Sequence, residues 1–229
     1  MDCLYFKTLS FCTNLKVLIP LLGPFITIFL GILTLPFIER FKKSLERKRL
    51  LEALLAELDD EIIIIDNAFT LLIDLYKTLY KIKKSGNFLH FFDVYQGEFK
   101  IFSIDRLLEE HFENLDFDIR HTIKHIKENI YFLNYLESKL TQIYNIESDE
   151  PLKIYKNIGK LEIHVGNYIS VLLQHRYSIR YLIDILTSKK SKLKKYSEVK
   201  PKEAIEHQLN EMKKPEIIPL LKEYLFEKL

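Results

Sequence analysis

Cysteine, tryptophan and glycine are all scarce in this chain. Only two cysteines occur, Cys3 and Cys12, both in the first dozen residues, so the rest of the chain has neither a disulfide framework nor a thiolate metal site. Six glycines and no tryptophan in 229 residues leave few turns and point to a helix-dominated protein. Charge of one sign is lacking too. The formal net charge is +2, which excludes a strong overall pull towards nucleic acid and makes any basic function a local matter. With 48% hydrophobic and 29% charged residues, the composition excludes a disordered chain, and the length suits one globular domain plus an extra element.

What is present first is a long uncharged run, VLIPLLGPFITIFLGILTLPFI, from Val17 to Ile38. As a helix it would rise about 33 Å, against a hydrocarbon core of about 30 Å. It therefore predicts a transmembrane helix over 17–38, with the lipid bilayer as a partner. A cleaved signal peptide is the competing reading, but its apolar region is about 7–15 residues long and ends at small residues. This run ends TLPFIER. Pro20, Gly23, Pro24, Gly31 and Pro36 are tolerated in a membrane helix, where they bend it or let another helix approach. Arg40, Lys42, Lys43, Arg47, Lys48 and Arg49 follow the run, while only Lys7 and Lys16 precede it. This asymmetry predicts a single-pass protein of the inner (plasma) membrane, with a short tail, 1–16, outside and the bulk of the chain cytoplasmic.

The next part, 39–188, reads as a cytosolic helical bundle, so the expected fold class is all-α: one N-terminal transmembrane helix followed by long packed helices. From Glu39 to Lys84 no proline or glycine intervenes, and Leu51, Leu54, Leu58, Ile62, Ile65, Phe69, Leu72, Ile73, Tyr76 and Tyr80 recur at spacings of three and four. That is one amphipathic, coiled-coil-like helix. The run EIIIID inside it looks strand-like, but both flanks keep the helical phase. Phe88, Phe91, Phe92, Tyr95, Phe99 and Phe102 crowd the connector that follows, as a plug for the bundle end or an exposed stacking surface. Ser103 is expected to cap a short helix running to about Glu113. Ile119, Ile123, Ile126, Ile130, Leu133 and Leu140 predict a helix over about Phe117–Ile146. Asp149 and Pro151 then suit a cap and a first-turn proline for a last long helix, about Glu150–Ser188. Its apolar stripe carries Arg176 where a leucine is expected. Buried there, the guanidinium needs a carboxylate, and Glu128 and Asp74 are the candidates by level. The remainder, 189–229, reads as a lysine-rich linker and C-terminal helices. The lysines are a solvated linker or an anionic contact, and PEIIPLLKEYLFEKL offers apolar residues for packing.

Only a few residues join the two long helices, so they must be antiparallel, and His125 falls level with His175 and Arg176. Arg120, His121, His125, His175 and Arg176 thus gather near one height of the bundle as the candidate site. His121 and His125 point away from the isoleucine stripe. A solvated face, an interface with another copy and a metal site all remain open; no acidic or cysteine ligand stands near for a metal, and no cofactor is expected.

The motif RHTIKH, Arg120 to His125, resembles the Arg-polar-x-x-x-His signature of HEPN ribonucleases, with RLLEEH, Arg106 to His111, a looser second match. Together with a single anchor, the architecture resembles the CRISPR-associated HEPN-like membrane accessory proteins of bacteria. The resemblance implies antiviral defence and metal-independent RNA cleavage at a site shared across a dimer. It also implies Arg120 stabilising phosphate charge, His125 acting on the 2′-hydroxyl or leaving oxygen, and His121 as the polar residue. His175 and Arg176 would serve binding. On a regular helix Arg120 and His125 lie about 140° apart, which departs from a convergent pair. The broader expectation needs no catalysis: a membrane-tethered, self-associating helical scaffold or effector, with Phe132 and Tyr135 in line with His121 and His125. A homo-oligomer is expected under both readings, RNA as a partner under the second, and a protein partner is left unidentified.

Overall fold

The computed structural model describes the backbone of residues 3–85, 97–148, 151–187, 193–195 and 198–225, and the side chains of 24, 27–85, 97–143, 158–187, 193–195 and 198–221. Among the described residues there is no strand. The elements are α1 (Cys3–Ser85), α2 (Ser103–Glu110), a 3-10 turn (Phe112–Asn114), α3 (Phe117–Ser148), α4 (Pro151–Leu186), α5 (Pro201–Glu211), a second 3-10 turn (Pro215–Ile217) and α6 (Ile218–Leu225). The chain divides into two compact units, 1–49 and 50–229.

The first unit is helical, and Ile28, Phe29, Ile32, Leu33 and Phe37 all stand exposed on it. Among the described residues no helix is long and apolar enough to cross a membrane. The expected span Val17–Ile38 lies partly outside them, since the side chains of 17–23, 25 and 26 are not described.

In the second unit the helical periods decide what is buried. Leu54, Leu58, Ile65, Phe69 and Leu72 of α1 are inside, as are Ile123, Ile126, Leu133 and Leu140 of α3. Each such side chain contributes about 1.5–3 kcal/mol on leaving water. Within EIIIID the outcome is helical: Ile62 and Ile65 are buried while Ile63 is exposed. The central element is α4. Its stripe of Ile158, Leu161, Val165, Ile169 and Leu172 is buried, but so are Tyr168, Leu173 and Leu182 on other sides, because α4 packs against α3, α5 and α6 and bonds to α1. Glu61 and Asp66 of α1 meet the neighbouring His175 and Arg176 of α4, whereas Lys83, further along α1, meets Glu162, earlier on α4. The two helices are therefore antiparallel.

Three details differ from the sequence expectation. Ser103 is the first residue of α2 and Phe102 the cap position; the backbone N–H and hydroxyl of Ser103 instead donate to the Glu57 carboxylate, at 3.0 and 2.9 Å. A side chain from α1 thus does the capping, and α2 stops at Glu110 rather than near Glu113. In the aromatic connector, Phe99 is buried and Phe102 exposed, while Phe88, Phe91, Phe92 and Tyr95 lie outside the described residues. Asn134 of α3 pins Phe99 through both backbone groups, accepting from its N–H and donating to its carbonyl at 3.0 Å each.

The third difference is Arg176, which is 3% exposed. Neither Glu128 nor Asp74 pairs with it. Its Nε donates to Asp66 Oδ1 at 2.8 Å and its Nη1 to Glu211 Oε2 at 3.1 Å, and Nη1 also donates to the buried Gln208 side-chain carbonyl. Gln208 and Glu211 belong to α5, which the level argument left out. In the C-terminal segment Ile217 and Leu221 are buried, Lys194 pairs with Glu203 and Lys195 with Asp118, and Lys189, Lys190 and Lys192 lie outside the described residues.

Replacing Arg176 with alanine removes a buried guanidinium and leaves the Gln208 carbonyl without its donor. The expected loss is on the order of 3 kcal/mol, read as a lower urea midpoint by circular dichroism. An unchanged midpoint would remove this network from the account of the fold.

Candidate functional site

The candidate site is built on the first three turns of α3 and the 3-10 turn before it. After Phe112–Asn114 the chain buries Leu115, and α3 starts at Phe117, with the Arg120 N–H donating to the Asp116 carbonyl at 2.9 Å. This reversal lays the Phe112 ring beside the helix. The Arg120 guanidinium stands 4.9 Å from that ring's centre and the Lys124 ammonium 4.6 Å. The Phe117 ring meets His121 edge-on, at 6.0 Å between centroids. Between them lies an opening of about 380 Å³, lined by Arg120, His121 and His125 together with Lys124 and Glu128. Its rings are Phe112 and Phe117.

The three motif residues therefore share one opening despite the wide arc between Arg120 and His125. The opening simply spans that arc. His121 is exposed, whereas the His125 side chain is 19% exposed, more buried than a residue opposite the isoleucine stripe should be. Asn129 Nδ2 donates to His125 Nε2 at 2.9 Å, which requires the lone pair there and places the proton on Nδ1, 4.0 Å from Glu128 Oε2. Burial, then the neighbouring His175, then His121, lower the His125 pKa to about 4. At neutral pH the ring is uncharged, and it is a weak base.

The other two candidates are not part of the opening. His175 is fully buried, with Nε2 3.5 Å from the buried Glu61 Oε1 and its ring edge-on to Phe99 at 6.3 Å. Its one described influence on the site is to help lower the His125 pKa. Arg176 is committed to Asp66, Gln208 and Glu211. The looser motif does not assemble either: Arg106 pairs with Glu110 on an exposed face while His111 is buried. Sequence reasoning missed Phe112 and Lys124. Lys124 could have been found as the second cation one turn after Arg120; Phe112 sits in a non-helical turn where periodicity carries no signal.

Comparison with known proteins gives no match: no family model, no curated protein and no solved structure matches this chain. The HEPN resemblance therefore rests on the motif residues themselves.

The depressed pKa of His125 has a signed consequence. The unfolded chain takes up its proton near the ordinary 6.5 and the folded chain only near 4, so between these values the unfolded state binds more protons. The stability is complete above pH 6.5 and is lost as pH falls towards 4. Urea midpoints should therefore drop from pH 7 to pH 5, and drop less in His125→Gln. Equal drops in both proteins would contradict the neutral, buried assignment.

Proposed function

We propose that this chain is a membrane-anchored, self-associating helical scaffold or effector protein that presents the α3 opening to the cytoplasm. The observation that carries the self-association is a row of aromatic side chains on the outer face of α3. Phe117, Tyr131, Phe132 and Tyr135 are 69, 79, 44 and 49% exposed, and the last two stack at 6.2 Å with 19° between their planes. With His121, Lys124 and Glu128 these positions fall within an arc of about 100°. Single exposed aromatics are ordinary, whereas an aligned row marks a contact surface. The uncharged run 17–38, its basic C-terminal flank and the exposed apolar side chains from Ile28 to Ile38 support the anchor. The resemblance to bacterial membrane accessory proteins supports a place in antiviral defence.

A second reading, an HEPN-type metal-independent endoribonuclease tethered to the membrane, is favoured by one observation: Arg120, His121 and His125 line the same opening. In that reading Arg120 would stabilise phosphate charge, and His125 would have to give up its bond from Asn129 before serving as a base.

Three measurements test these readings. The full-length chain should remain with membranes through carbonate extraction, and its release would remove the anchor. Phe132→Glu combined with Tyr135→Glu should shift the detergent-solubilised protein towards monomer in sedimentation, because charges are placed on the exposed row without touching the core; an unmoved distribution would discard that interface. Incubation with labelled single-stranded RNA in EDTA should leave the RNA intact. Cleavage that His125→Ala abolishes would instead establish the nuclease.

A further inference from the structure

We infer that the opening at the start of α3 binds a small phosphate ester carrying a flat ring, of the class of a mononucleotide. Charge is the first argument. Arg120 and Lys124 both stand over the Phe112 ring, and among the described residues neither has a carboxylate partner. Nearby cations do find one: Lys127 pairs with Asp105 at 2.6 Å and Lys195 with Asp118 at 3.0 Å. A cation held over an aromatic face is oriented but not neutralised, so both charges remain available to an anion entering the opening. One is a planar fork that suits two phosphate oxygens and the other a point charge. Together they match the charge of about −1.5 to −2 on a phosphate monoester at pH 7. Among the described residues the only carboxylate lining the opening is Glu128, 4.0 Å from His125 Nδ1.

Size and shape supply the second argument. An opening of about 380 Å³ falls within the range of small-molecule sites, about 300–1,000 Å³, and is far larger than a bare phosphate needs. The exposed Phe117 ring at its rim offers an aromatic face on which a planar ring can stack. His121, His125 and Glu128 line the remaining space with hydrogen-bonding groups for the polar edge of such a ring or a sugar. The lining residues are the same whether or not the chain cleaves RNA.

The test is calorimetric titration of the full-length protein in detergent with 2′-deoxyadenosine 5′-monophosphate, which lacks the 2′-hydroxyl that RNA cleavage needs. Deoxyadenosine, inorganic phosphate and a short single-stranded DNA are titrated in parallel. The monophosphate should bind with saturation and at least roughly tenfold more tightly than deoxyadenosine or phosphate alone. Arg120→Gln and Lys124→Gln should each weaken it roughly tenfold, Phe117→Ser should weaken it too, and Lys127→Gln should not, with circular dichroism spectra unchanged throughout. Absence of saturation at millimolar monophosphate overturns the site. Phosphate binding as tightly as the monophosphate overturns the ring component, tighter binding of the DNA strand overturns the small-ligand class, and indifference to Arg120→Gln and Lys124→Gln overturns the location.

Discussion

A guanidinium in the middle of an apolar helix stripe can be buried only if carboxylates come to it, and Arg176 imposes that demand on the whole second unit. Asp66 answers from α1 and Glu211 from α5, with the Gln208 carbonyl between. Glu211 also takes Arg180, one turn further along α4, at 3.2 Å. One side chain thus sets the height of α1 against α4 and fixes where α5 docks. Two more polar contacts accompany it: Glu61 meets His175, next to Arg176 on α4, and Lys83 meets the buried Glu162 carboxylate at 2.8 Å, nearer the start of α4. A slip of one turn would put Ile62 or Thr70 where Asp66 stands and leave the buried guanidinium without that carboxylate, at a cost of several kcal/mol.

Once α4 is surrounded, α3 has only one face left to bury. Its isoleucine stripe goes to α4, and the opposite arc, with the aromatic row and the opening, is left to solvent. His125 lies at the border of these two faces. Close enough to feel His175 and buried enough to lose hydration, it is held neutral by the same packing that makes His175 a core residue. Placing a second imidazole behind the first therefore works against a charged His125, and favours cationic chemistry through Arg120 and Lys124 instead.

Much of this was legible because it depends on period. The stripes on α1, α3 and α4 follow from spacings of three and four, and EIIIID is helical because its flanks hold the phase. The anomaly of Arg176 was visible as well; its partners were not. Asp74 lies about 12 Å further along α1 than Asp66, and no spacing rule could show that α5, reached through the lysine-rich segment, would supply Gln208 and Glu211. The cap on α2 failed for the same reason, since Glu57 is remote in sequence from Ser103. At the site, Arg120, His121 and His125 could be read together from RHTIKH, but their shared opening depends on Phe112, which a 3-10 turn places beside α3. Local pattern gives the faces of helices, and only long-range packing decides which polar groups meet.

The aromatic row and the opening occupy the same outer arc of α3, and this links the two properties proposed for it. A second copy seated on Phe132 and Tyr135 would extend, at the length of a standard contact of roughly 800 Å² per partner, towards Phe117 and His121. It would then narrow the entrance to the cations on Phe112. Association and ligand entry are in that case coupled, and by reciprocity whichever one the other disfavours must disfavour it in return. A ligand small enough to remain beneath the covering copy would reverse the sign, because its charge would meet Arg120 and Lys124 in a drier site, where the attraction is stronger. The sign of the coupling thus depends on how far a bound phosphate ester projects past the Phe117 rim.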